Sequence, residues 1–261
     1  MPVDGAIING CISDLQGRFN LNNFQAYEKS KDLTDALASK NASEPLIWNR
    51  LLALLEIPAY PGRVETIVDW VDEKSELVGS SGAEQEDYVA MMPPRMIADQ
   101  IMVEPSELAS VMGYEIFEVQ AIMPWITALP EVTKINVNTA SDELLIAIGG
   151  DLDTQFKDAV IGNRPFEQLG DFYDSINSEF NLSTPNDAAT RWPNKLVDIK
   201  TGYFHLYIEV LLGDVRIEVK SIIKRSKNSK PVIIQRELVT VPASLSKDSA
   251  SSLKKLTKDT D

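Results

Sequence analysis

Among 261 residues there is one cysteine, Cys11, and one histidine, His205. No intramolecular disulfide can form, and a four-ligand Cys/His zinc site cannot be assembled. A Ser-His-Asp or Cys-His catalytic arrangement would have to run through His205. That residue lies in the run Tyr203-Phe204-His205-Leu206-Tyr207, where it reads as one face of a strand. Long apolar runs are also lacking. None approaches the roughly 20 residues that a membrane helix needs, and a signal peptide's basic start and apolar stretch are missing. The chain as written reads as soluble, and its abrupt start at Met1-Pro2-Val3-Asp4 reads as the cut edge of something longer.

Basic residues are scarce as well. Lys and Arg number 25 against 39 Asp and Glu, a net charge of −14. Residues 1–194 hold 12 bases and 31 acids, net −19, whereas 195–261 hold 13 and 8, net +5. An acidic body repels a phosphate backbone, so generic nucleic-acid binding is disfavoured. The asymmetry points to two different interaction surfaces. An apolar share of 44 % allows a real core.

Ala6 to Leu21 reads as strand and turn, with Phe19 and Leu21 alternating against Asn20 and Asn22 as in a half-buried strand. Helical stripes follow over Phe24–Ser39, through Trp48, Leu51, Leu52 and Leu55, and over Arg63–Val71. Periodicity fades from Asp72 to Met102, a length of irregular chain that needs a function or an anchor. Short helices are expected after Pro105, over Phe117–Met123, after Thr139 as part of a capping box, over Thr154–Ile161 and over Asp171–Phe180. From Lys195 onward strands are expected: Tyr203–Leu212, Val215–Ile223 and Pro231–Val241. The fold class is therefore α+β, with a helical block inserted between parts of one antiparallel sheet.

Several motifs, in this order, resemble one family. They are Gly17-Arg18-Phe19-Asn20-Leu21-Asn22, Asp69-Trp70-Val71-Asp72, Gly82-Ala83-Glu84 with Tyr88, Pro105-Ser106-Glu107-Leu108, Leu129-Pro130, Asn136-Val137-Asn138-Thr139-Ala140 and Tyr203-Phe204. The pattern is similar to the periplasmic part of the GspK family, the large minor pseudopilin of bacterial type II secretion, over residues 5 to 240. The resemblance implies a pilin-like helix plus antiparallel sheet, with a large inserted α-helical domain. It assigns 1–23 and 190–243 to the pilin-like domain and 24–189 to the insertion, which includes the acidic loop 72–102. Residues 244–261 form a polar tail expected to be disordered. The resemblance further implies a leader and a membrane anchor in the full-length protein, and hence the periplasmic domain of a single-pass inner-membrane protein. Expected partners are minor pseudopilins I and J at the tip of the pseudopilus, with minor pseudopilin H and major pseudopilin G beyond them. The role is assembly in protein export, without catalysis.

Glu65 to Asp87 contains eight carboxylates and one base, Lys74. Calcium takes 6–8 hard oxygen ligands, and an ion could order a loop with little core of its own. The resemblance implies calcium in this region too. The expected ligands are Asp72, Glu76, Glu84 and Asp87. Two departures from the family pattern oppose the site: Lys74 and Gln85 stand where relatives carry aspartates.

The alternative from another class is a helix-hairpin-helix nucleic-acid-binding module. It rests on Ile135–Ser141, Gly149-Gly150 and Asn163-Arg164-Pro165-Phe166, but the hairpin continues Asp151-Leu152-Asp153, which opposes phosphate. A carboxylate hydrolase is weaker still, because nothing singles out one acid–base pair. Met91, Met92, Met96 and Met102 suit either core or an adaptable surface. Arg216, Lys220, Lys224, Arg225, Lys227 and Lys230 read as a solvated strand face and turn, or as a surface for an acidic neighbour or lipid headgroups.

Overall fold

The computed structural model describes residues 6–27, 30–38, 42–58, 60–74, 76–150, 160–179, 186–213 and 215–242. The strands are β1 Ala6–Asp14, β2 Phe19–Asn20, β3 Ile126–Thr127, β4 Ile135–Asn136, β5 Val197–Asp198, β6 Tyr203–Leu212, β7 Val215–Lys224 and β8 Val232–Pro242. The helices are α1 Ser30–Ala38, α2 Glu44–Leu54, α3 Glu65–Val71, α4 Gln85–Ala90, α5 Ile116–Ile122, α6 Asp142–Gly149, α7 Leu169–Glu179 and α8 Asn186–Arg191. Tight 3-10 turns occupy Leu21–Tyr27, Pro105–Ser110 and Met123–Trp125.

Two compact units result: Met1–Leu15 with Gly202–Asp261, and Gln16–Thr201. The boundaries thus fall at 15/16 and 201/202, where 23 and 190 were expected. Residues 16–23 and 190–201 join the helical unit because they pair there, β2 with β3 and β5 with β4. The expected tail and the expected helix Thr154–Ile161 lie, wholly or nearly so, outside the described residues.

The sheet unit is one antiparallel sheet in the order β1-β6-β7-β8. Residues paired across antiparallel strands share a face. On one face the rows run Ile8-Val210-Ile217, Gly10-Ile208-Val219-Leu238 and Ile12-Leu206. This apolar face is open: Ile8, Ile12 and Leu238 are 62 %, 66 % and 64 % exposed. The other face is laced by polar contacts. Asn9 Nδ2 donates to Glu209 (3.2 Å), and Arg216 is paired at 2.7 Å with both Glu209 and Glu218. Lys220 meets Glu237 at 3.5 Å. Lys224 stacks on the ring of Tyr203 on this face, and Arg225 on the ring of Phe204, which shares the apolar face with Leu206. The basic set is therefore divided: Arg216 and Lys220 are internal ties, and Lys227 and Lys230 stand exposed in the β7–β8 turn. His205 lies mid-strand opposite Ser13 and Ile222, a strand-face position.

The helical unit closes around Phe19, Leu21, Phe24, Trp48, Leu51, Leu52, Ile67 and Val68, which form one core with residues of α5, α6, α7 and α8. Trp48 Nε1 donates to the Tyr114 hydroxyl (2.9 Å), which donates to the carbonyl of Arg63 (2.7 Å). The alternation at Phe19–Asn22 does not make a half-buried strand. The chain turns into a 3-10 segment after Asn20, and the asparagines point inward. Asn20 Nδ2 donates to the carbonyl of Glu131, and its Oδ1 accepts from the N–H groups of Asn22 and Leu129. Asn22 donates to the carbonyls of Met102 and Leu129 and accepts from the N–H of Met102. Asn23 bridges both backbone groups of Thr133. A side-chain amide presents both a donor and an acceptor, so these residues replace the missing ladder for two loops. The two family motifs of the core also meet. A Cβ at Gly17 would sit 2.6 Å from the carbonyl oxygen of Thr139, so only glycine fits there.

The expected capping box differs in detail. Ser141, not Thr139, caps α6, its Oγ accepting from the N–H of Leu144 (3.2 Å). The expected structureless stretch 72–102 holds the short helix α4, and α8 follows α7 where no further helix was expected.

Candidate functional site

The acidic loop starts from α3. Apolar residues at Ile67, Val68, Trp70 and Val71 bury that helix, and Asp69 goes in with them at 0 % exposure. Its two oxygens accept from the N–H of Val78 (2.8 Å) and the N–H of Ala83 (2.7 Å). One carboxylate thus staples both ends of the turn 78–83. Gly82 allows it, since a Cβ there would stand 2.0 Å from Asp69 Oδ2. Asp72, at the C-cap of α3, accepts from the N–H of Lys74 through Oδ1 (2.9 Å).

The chain then enters α4 with Glu84 as N-cap. The Glu84 side chain closes a capping box with the N–H of Asp87, and the N–H of Gln85 also pulls on it; its oxygens are otherwise buried without a partner, as is Asp99 Oδ1. Asp99 sits in the left-handed region at φ 48°, a conformation that a well-determined site holds against its cost. Burial pushes the Glu84 carboxyl up to about 7, and the charges of Asp69, Asp99 and Asp72 push the same way. Burial also raises Asp69 to about 7, against the pull of its two N–H donors. Acids are held together here at a cost that a cation would relieve.

Of the four expected ligands, the structure buries Asp72 and Glu84 and couples them electrostatically. Glu76 is exposed. Asp87 caps α4, its Oδ2 accepting from the N–H of Glu84 (3.0 Å). Among the described residues, no three His, Cys, Asp or Glu side chains are grouped tightly enough to hold a metal ion. Lys74 is exposed and tied by its N–H to buried Asp72, and Gln85 Oε1 accepts from the N–H of Ile97 (3.3 Å), tethering the far side of the loop. The residues missed are Asp69 and Asp99. An acid inside the apolar run Ile67–Val71 is the signal that marks Asp69; for Asp99 the sequence carries none.

The methionines split. Met102 is buried against Asn22, and Met92 is 94 % exposed. The hairpin on which the nucleic-acid reading depends, Asp151-Leu152-Asp153, lies outside the described residues. What surrounds it is structural. Asn138 donates to the carbonyls of Phe166 and Ile199 and accepts from the N–H of Phe166, which locks the 165–166 segment to α6's approach.

Two family profiles described as Type II secretion system (T2SS), protein K match residues 17–131 and 135–190. The Type II secretion system protein K of Aeromonas hydrophila is 30 % identical over 247 residues, spanning 90 % of this chain and 72 % of the relative. That of Pectobacterium carotovorum subsp. carotovorum is 29 % identical over 245 residues, at 90 % and 71 %. That of Pseudomonas aeruginosa is 28 % identical over 240 residues, at 90 % and 66 %. Among solved structures, the GspK-GspI-GspJ complex of enterotoxigenic Escherichia coli contains a chain that superposes with a TM-score of 0.70 at 21 % identity, covering 92 % of this chain and 82 % of that one.

Proposed function

The chain belongs to the type II secretion system protein K family, and from that membership we propose that it acts as a minor pseudopilin by docking. Its work is assembly, not catalysis, in the periplasm, at the tip of a pseudopilus with minor pseudopilins I and J of its own system. The observation that carries this reading is the open apolar face of the sheet unit, where Ile8, Ile12 and Leu238 are mostly exposed. Exposed apolar surface of that extent marks a contact. The family's membrane-anchoring helix and neighbouring subunits are the surfaces that would bury it, while the helical unit caps the assembly. Among the described residues no helix is long and apolar enough to cross a membrane. Mixing with the cognate I and J domains tests the reading. A stoichiometric complex by light scattering is expected, and no association at micromolar concentration would overturn it.

A calcium ion at the acidic loop fits the same protein. Glu84 carries it, since its carboxylate is buried beside the charges of Asp69, Asp99 and Asp72, with only the backbone N–H groups of its own helix turn to offset them. Asp72 and Asp99 would have to draw closer to Glu84 to complete the carboxylate share, since the three are not grouped tightly enough as they stand, and loop carbonyls would supply the rest, because calcium accepts six to eight oxygens. The ion would order the segment between α3 and α4. Calorimetry on chelator-treated protein should show calcium binding and a raised melting temperature. Neither effect appearing would remove the ion from the account.

A further inference from the structure

The two edges of the sheet are built differently. β8 is a guarded edge: a bulge interrupts its register between Ile222 and Ile223, and it carries Arg236, Glu237 and Pro242. Bulges, charges and prolines are the means by which edges resist pairing. β1 has no bulge and no proline, and its one charge, Asp14, stands at its C-terminal end. Its nine residues pair with β6 in unbroken register from Ala6 to Asp14, and the stretch Ala6-Ile7-Ile8-Asn9-Gly10-Cys11-Ile12-Ser13 holds no charge and no proline. Six successive positions, Ile7 to Ile12, are exposed, and among the described residues no strand pairs with its outer side. Such an edge offers a row of unpaired N–H and C=O groups that only extended backbone satisfies.

We propose that the outer edge of β1 receives an extended segment of a different subunit of the assembly, which adds a fifth strand to the sheet. This rests on the docking function above. Gly10 indicates the occupant's chemistry. It lies mid-strand on the apolar face, and a Cβ there would meet only the carbonyl oxygen of Tyr207 at 3.4 Å and Ile208 Cγ1 at 3.8 Å. The space beside it is open. Two copies of β1 paired about Gly10 would set glycine against glycine and leave that notch empty. A foreign strand with an aromatic or large aliphatic residue at that level fills it. The incoming segment is therefore uncharged, alternating, and bulky opposite Gly10.

Cys11, exposed in the middle of β1 and the chain's one cysteine, is a built-in reporter. The full chain is mixed with the cognate I and J domains, and the complex is isolated. Amide exchange of β1 and the rate of Cys11 thiol labelling are then compared with the chain alone. Both should slow at least tenfold in the complex. The double variant Asn9→Lys with Cys11→Lys, an edge guarded by lysines, should keep the native circular dichroism and bind at least tenfold more weakly. A complex that forms with β1 exchange and Cys11 labelling unchanged overturns the proposal and leaves the docking function standing. Absence of any complex overturns both. Slow β1 exchange in the chain alone, together with a dimer mass, makes a second copy the occupant and overturns the assignment to a different subunit.

Discussion

The two units settle the same obligation, pairing of every buried backbone group, in opposite ways. In the sheet unit the strands pair with one another through three long ladders, β1 with β6, β6 with β7 and β7 with β8. Side chains are left over, and an apolar face is left open to a partner. In the helical unit the paired strands are two residues long, and long loops cross the core. There the side chains of Asn20, Asn22, Asn23, Asp69 and Asn138 take the place of ladders. Glu84 differs from these by its surroundings, a buried carboxylate facing the charges of Asp69, Asp99 and Asp72. It holds only the first-turn N–H groups of its own short helix, while those neighbours oppose its charge.

The largest break in this contrast comes from Asn22. Replacing it with Leu leaves a buried N–H and two buried carbonyls, on Met102 and Leu129, without partners. At 1–3 kcal/mol for each orphaned group, the loss is about 4 kcal/mol. All four tryptophans lie in the helical unit, so tryptophan fluorescence during urea unfolding follows that unit alone. Asn22→Leu should lower this midpoint sharply, while Asn9→Ala, which cuts one partly buried contact in the sheet unit, should leave it in place. A shift below about 1 kcal/mol for Asn22→Leu would mean that the loop carries its own structure.

A smaller effect is expected at the Asp69 staple. Gly82→Ala would drive a methyl group into Asp69 Oδ2, at 2.0 Å before relaxation. Overpacking of this kind costs about 2 kcal/mol. Asp69→Asn turns one N–H acceptor into a donor facing an N–H, either Val78 or Ala83, and should cost about the same. Both variants should speed proteolysis between Val78 and Gly82. Unchanged cleavage in both would show that the turn is held by something other than Asp69.

Much of the fold was legible because strand signals are local. Tyr203–Leu212 matched to the residue, and Val215 and Pro231 marked the starts of their strands closely. The failures share a cause. Phe19–Asn22 has the alternation of a strand, yet the asparagines are buried with their neighbours because loops more than 75 residues away need their amides. A period of two cannot tell an outward asparagine from an inward one. The same holds at the acid loop. Composition found the cluster and named Asp72 and Glu84, but which acid staples the turn, caps α4 or faces solvent depends on the path of the loop. The unit boundaries shifted for a related reason, since the two-residue strands Phe19–Asn20 and Val197–Asp198 pair with segments over 60 residues distant.

The smallest expected effect sharpens the contrast most, because two neighbouring acids should answer with opposite signs. The Glu84 carboxyl is raised from 4.5 to about 7. Between those values the folded protein keeps a proton that the unfolded chain gives up. Glu84's contribution is therefore complete below pH 4.5, declines as pH rises to about 7, and stays lost above it. Glu84→Gln removes that decline. In chelator-treated protein at pH 8 the variant should be more stable than the parent by about 1 kcal/mol, a figure discounted for solvent screening. At pH 4 the two should melt together. Asp69 is raised as well, but its oxygens are in use, so Asp69→Asn should destabilise under the same conditions. Calcium, if Glu84 holds it, reverses the first sign only: it should stabilise the parent and leave Glu84→Gln where it was. Thermal melts of the three proteins at two pH values, with and without calcium, read all of these outcomes. A Glu84→Gln protein less stable than the parent in chelator at pH 8 would show that the capping-box bond of the Glu84 carboxylate outweighs the cost of burying its charge.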